Sequence, residues 1–134
     1  MSFVMDFLKA LAGICETQPL SPDRWELQGN RVMVRIKEVP QLQTPGGAVY
    51  LQGKGLHTPV LIVRGEGGNY HCFPNRCTHM GRKLDPVQGK PEIRCCSVSH
   101  ARFDYQGVKL RGPAKGPIEP YASYVEGDEL IIII

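Results

Sequence analysis

Two short stretches combine cysteine with histidine at spacings that suit metal binding. In "CTHMG", residues 77 to 81, Cys77 and His79 stand one residue apart; in "CCSVSH", residues 95 to 100, Cys95 and Cys96 precede His100. The chain holds four histidines, so these two stretches take half of its imidazoles. A thiolate and an imidazole one residue apart can sit on one tight loop while reaching two different atoms. That is what a two-metal cluster requires, more than a single ion does. The second stretch then supplies the other thiolate and the other imidazole. Two Cys and two His are also an acceptable tetrahedral set for zinc. A cysteine outside such a site reads as a small core hydrophobe, and that is the reading for Cys15, Cys72 and Cys95. His57, in "GKGLHTP", and His71, beside Cys72, read as surface or edge residues.

Loops of this kind need rigid elements to hang from, and the sequence offers strands. "RVMVRIK" alternates Val32, Val34 and Ile36 with Arg31, Met33, Arg35 and Lys37, the period-two pattern of a half-buried strand. Further strand candidates are Ala48 to Gln52, Val60 to Arg64, Asn69 to Phe73, Glu92 to Cys95, Arg102 to Tyr105, Val108 to Leu110, Ala122 to Glu126 and Glu129 to Ile134. Turn clusters such as "TPGG", "GEGG" and "EGD" separate them. The final "IIII" reads as a strand buried on both faces. One helical pattern stands apart: Phe3, Phe7, Leu11 and Ile14 predict an amphipathic helix over residues 2 to 14, with Ser2 as its N-cap. Many short strands and no second long helix argue for an all-β sandwich or small barrel.

The bulk numbers narrow the function. At 134 residues, with 42% hydrophobic and 22% charged, the chain has the composition of one globular domain that needs no staples. The net charge of +3 comes from basic residues interleaved with acidic ones, which is no nucleic-acid footprint. Five cysteines, two of them neighbours, are poor material for a disulfide framework, so thiols or metal ligands are expected. The N-terminal apolar stretch is broken by Asp6 and Lys9 and is too short to span a bilayer. A cytoplasmic, reducing location is the expectation, with the helix packed on the domain or used for docking.

Together these motifs resemble the Rieske iron–sulfur family. "PVLIVRGEGGNYHCFPNRCTHMGRKLD" is similar to that family's approach to its first cluster loop, and "ARFDYQGVKLRGPA" to its exit from the second. Gly112 to Ala114 resembles the proline-containing loop that covers the cluster. The resemblance implies a Rieske-like antiparallel β-sandwich or small barrel over residues 28–134 with a two-loop cluster-binding subdomain. Residues 1–27 then form an N-terminal helix and connecting segment. It also implies a [2Fe-2S] cluster in which Cys77 and Cys96 bind one iron and His79 and His100 the other.

The second motif departs from the family pattern. Laid against "C-P-x-H-G-A-R-F-D", Cys96 falls on the cysteine, Ser99 on the histidine and His100 one place late. Three arrangements follow: a bulged loop in which Cys96-x3-His100 closes the site; a cluster with different ligation, Cys95 being the nearest other thiolate; or a fold with zinc or no cluster. The leading function is a small soluble electron carrier serving a reductase, oxygenase or other oxidoreductase, not itself an enzyme. The alternative is a cluster-less or differently metallated subunit with a structural or regulatory role. High-potential Rieske proteins carry an extra cysteine in each loop; Arg82 occupies that position in the first. A low potential is therefore expected within the Rieske range of roughly −150 to +300 mV. Arg82, Lys83 and Arg102 are expected to form a basic rim for an acidic partner.

Overall fold

The computed structural model describes residues 15–77, 83–96, 101–112 and 116–134. The helix expected over residues 2 to 14 lies outside them. Among the described residues eleven strands form three antiparallel sheets. The first has the order β1 (Trp25–Gln28), β2 (Arg31–Arg35), β11 (Glu129–Ile133), β10 (Ala122–Glu126). The second is β3 (Ala48–Leu51), β4 (Val60–Arg64), β5 (Tyr70–Pro74), and the third is β6 (Leu84–Pro86), β7 (Glu92–Cys95), β8 (Arg102–Asp104), β9 (Lys109–Arg111). The all-β architecture expected from the turn spacing is present. No helix among the described residues is long and apolar enough to cross a membrane.

Alternation explains how three sheets share one body. Val60 and Ile62 of β4 enter a core with Trp25, Val32, Val34, Leu130 and Ile132 of the first sheet. Leu61 and Val63, pointing the other way, enter a second core with Phe73, Leu84, Ile93, Cys95 and Phe103. The middle sheet is therefore apolar on both faces, which is why "VLIV" is an unbroken hydrophobic run. Each such side chain contributes on the order of 1.5–3 kcal/mol by leaving water.

The first sheet joins distant parts of the chain: Val34 pairs with Trp25 on one side and Leu130 on the other. β1 begins ahead of Gln28, so the sheet takes in Trp25 to Leu27, and Trp25 is 1% exposed. Of the closing isoleucines, Ile131 and Ile132 are buried, Ile133 is half-buried and Ile134 is exposed. Only the first half of that run is buried.

Residues 15–20 lie along the second sheet rather than apart from it. Leu20 N donates to Tyr50 O at 2.8 Å and Tyr50 N to Gln18 O at 3.1 Å. Pro19 and Tyr50 thus form a parallel bridge.

Candidate metal centre

Each candidate loop leaves the end of a strand and is closed at its base by a specific hydrogen bond. β5 runs into the first, and Asn75 fastens it: its Oδ1 accepts from Leu84 N at 2.9 Å, while its own N donates to Pro59 O at 2.8 Å. Asn75 is only 3% exposed, so its side chain takes the place of a ladder bond that the loop interrupts. β7 runs into the second loop, closed by Cys95 N donating to Ala101 O at 2.8 Å. A third bond joins them, from Cys96 N to Lys83 O at 2.9 Å. The start of the second loop is thereby bonded to the exit of the first. Gly112, at φ +95°, packs on the same place: a Cβ there would lie 2.4 Å from Ala101 Cα, so only glycine brings β9 this close.

Alternation sorts the adjacent cysteines. Cys95 pairs with Leu84 in the ladder, and both side chains enter the second core, which also holds Cys77. Cys96 lies outside that cluster. It is disulfide-bonded to Cys15, with the two Cα atoms 5.4 Å apart. This corrects two expectations: Cys15 is not a core thiol, and the odd, partly adjacent cysteine set does form one disulfide. The physical reason is Asp85, on β6 and 2% exposed. Its Oδ2 accepts from Glu16 N at 2.7 Å and its Oδ1 from Thr17 N at 3.0 Å, which fixes the residue before them against Cys96. Cys15 Sγ, Cys96 Sγ and an Asp85 oxygen all lie within 4.8 Å of one another. Among the described residues no sequence motif marks Cys15 or Asp85; their meeting depends on the fold.

Of the four expected ligands, Cys77 and Cys96 are buried, at 2% and 1% exposure. His79 and His100 lie outside the described residues, as do Ser99, Arg82, Pro113 and Ala114. The expected basic rim is altered where it can be seen. Lys83 Nζ sits 4.5 Å from the Tyr50 ring centroid and 3.2 Å from its hydroxyl, and Arg102 Nη1 is 3.4 Å from Glu92 Oε1. Both cations are engaged within the chain: Glu92 stands on β7, the strand paired with the β8 of Arg102, and Tyr50 stands on β3 of the second sheet, within reach of Lys83. Arg94 likewise lies 3.7 Å from Asp85.

The remaining thiol, Cys72, and the two remaining imidazoles are ordinary in their settings. Burial pushes the Cys72 thiol up to about 12, against a weaker opposing hydrogen bond from Ser123. His57 is exposed. His71 is half-buried and stacks on Tyr105 at 4.5 Å between centroids; desolvation lowers its pKa.

Two strands that lead into Cys/His motifs, with the start of the second motif bonded to the exit of the first, match a known pattern. The family model for the Rieske [2Fe-2S] domain matches residues 31–122. The chain belongs to the Rieske family. It is similar to the ferredoxin of carbazole 1,9a-dioxygenase from Nocardioides aromaticivorans IC177, at 26% identity and a TM-score of 0.57, covering 67% of this chain and 86% of that one. It is also similar to the cyanobacterial plasma membrane Rieske protein of Synechocystis PCC 6803, at 27% identity and a TM-score of 0.53, covering 63% and 86%. A curated relative, the carotenoid phi-ring synthase of Chlorobaculum tepidum, is 28% identical over 100 residues. The match covers 73% of this chain but only 15% of the synthase.

The cofactor of a Rieske domain is a [2Fe-2S] cluster, and its homologues work in electron transfer. The donor chemistry here fits that cofactor on one condition. Iron needs thiolates, and Cys77 offers a buried thiol at the first loop. Cys96 offers one at the second only when its bond to Cys15 is open.

Proposed function

We propose that this Rieske protein is a small electron carrier that relays single electrons between a reductase and an oxygenase or other oxidoreductase, with no substrate turnover of its own. Cys77 and Cys96 hold one iron of the cluster, and His79 and His100 hold the other. When bound, such a cluster takes up and gives back one electron. The chain's own part is to fix the donors. Asn75 and Ala101 close the bases of the two loops, and the Cys96 N to Lys83 O bond keeps them adjacent. That last bond carries the reading, since it joins the two Cys/His segments that sequence alone leaves apart. The match over most of a dioxygenase ferredoxin supports a carrier above an embedded catalytic domain.

The test is reconstitution of the reduced chain with ferrous iron and sulfide, followed by visible absorption and electron paramagnetic resonance of the dithionite-reduced product. A Rieske-type signal is expected, lost in His100→Ala and kept in Ser99→Ala. The reverse pattern assigns the ligand to Ser99, and a colourless product overturns the carrier. With Arg82 in place of the extra cysteine, the midpoint potential is expected to be low; a value well above zero contradicts that assignment.

A further inference from the structure

We propose that Cys15 and Cys96 form a reversible redox site, in which closing the disulfide withdraws Cys96 from the cluster. The inference rests on the reading of Cys96 as a ligand given above. Two features of the fold carry it. The sulfurs are already joined across a sequence separation of 81 residues. The approach is also built rather than incidental: both Asp85 oxygens accept backbone N–H groups from the two residues that follow Cys15. Because its oxygens are occupied in this way, Asp85 serves as an anchor for the segment and not as a metal ligand. The segment is held further by the Pro19–Tyr50 bridge.

The exchange is balanced with a low-molecular-weight disulfide as oxidant. Cys15 is the more accessible of the two, half-buried against 1% exposure for Cys96. The Cys15 thiolate attacks glutathione disulfide, forming a mixed disulfide and releasing one glutathione thiolate. The Cys96 thiolate then attacks Cys15 Sγ, breaking the mixed bond and releasing the second. Two electrons pass from the cysteine pair to glutathione, and two protons leave the pair for the released thiols. A dithiol reductant runs the sequence backwards. The closed state leaves the second loop without its thiolate, so metal uptake and the redox state of this pair are coupled.

Full-length chain without iron is treated anaerobically with glutathione disulfide, alkylated under denaturing conditions and mapped by mass spectrometry. A linked Cys15–Cys96 peptide is expected, with Cys72, Cys77 and Cys95 alkylated. Parallel samples, oxidised or reduced with dithiothreitol, receive ferrous iron and sulfide, and bound iron is measured. The oxidised chain is expected to lose most of its uptake and the reduced chain to keep it. Cys15→Ser, checked for native circular dichroism, is expected to load equally after either treatment. Asp85→Asn, which keeps one acceptor oxygen, is expected to give less linked peptide at equal oxidant. Absence of the linked peptide overturns the proposal, and so does a linked chain that loads like the reduced one. If the reduced chain takes up no iron, Cys96 is no ligand and the coupling fails with it, while a linked peptide in that sample still supports the thiol pair.

Discussion

The two cores of this domain share burial and differ in what is added to it. Around the first, strands of four and five residues bury thirteen hydrophobic residues, from Trp25 to Ile132. Around the second, β6, β8 and β9 have three residues each, and the fully buried polar side chains Asn75 and Asp85 stand at its loop end. One region is fixed by burial, which is spread over many side chains. The other also buries apolar side chains, Leu61, Phe73, Leu84, Ile93 and Phe103 among them, and adds a handful of bonds that close the loop bases. Burial stabilises both, and the added bonds of the second place the cysteine-bearing segments.

Perturbing each region in turn sharpens this difference. The largest effect is expected from Ile62→Ala, which opens a cavity in the first core; it should cost about 2–5 kcal/mol of global stability in urea unfolding. Its effect should be the same with the disulfide open or closed. Cys15→Ser comes next. Removing a cross-link that closes 81 residues should cost about 2–4 kcal/mol, lowering the unfolding midpoint of the oxidised chain but not of the reduced one. Asn75→Ala strands the Leu84 amide and should cost about 1–3 kcal/mol. Its signature is local: hydrogen exchange at Leu84 quickens while amides of β2 and β11 keep most of their protection. If all amides quicken together, the two regions are one cooperative unit and the contrast fails.

The smallest expected effect is one of pH. Burial lowers the pKa of His71 from 6.5, so the folded chain binds its proton less readily than the unfolded chain does. The contribution of the neutral ring is therefore present above pH 6.5, declines as the pH falls toward the folded value, and is gone below it. His71→Gln should flatten the pH dependence of the urea midpoint across that window. An unchanged slope assigns the dependence to other groups.

Much of the fold is legible in the sequence because burial leaves a periodic trace. β2, β4 and β11 follow from alternation or from an unbroken apolar run, and β7 ends at Cys95 as expected. β1 and β6 leave no such trace: "WELQ" has too few alternations, and "LDP" is three residues closed by proline. The core position of Cys95 is legible from the same alternation. The contact between Cys15 and Cys96 is not, because it depends on where a carboxylate from β6 meets two backbone amides of a segment without regular structure. The engagement of Lys83 by Tyr50 was hidden for a related reason, since the packing of the second sheet against the third, and not spacing, brings a ring beneath that ammonium.

The pairing of β11 with β2 has a consequence for the order of folding. The middle sheet forms from consecutive hairpins, β3 with β4 and β4 with β5, whereas Ile131 must find Met33 across most of the chain. Closing so large a loop is entropically slow compared with local pairing. Until β11 arrives, one edge of β2 is an open template, with Val32 and Val34 uncovered. The tandem isoleucines thus act as a late closing strip, and the interval before they dock is when this domain is most exposed to pairing with a neighbour.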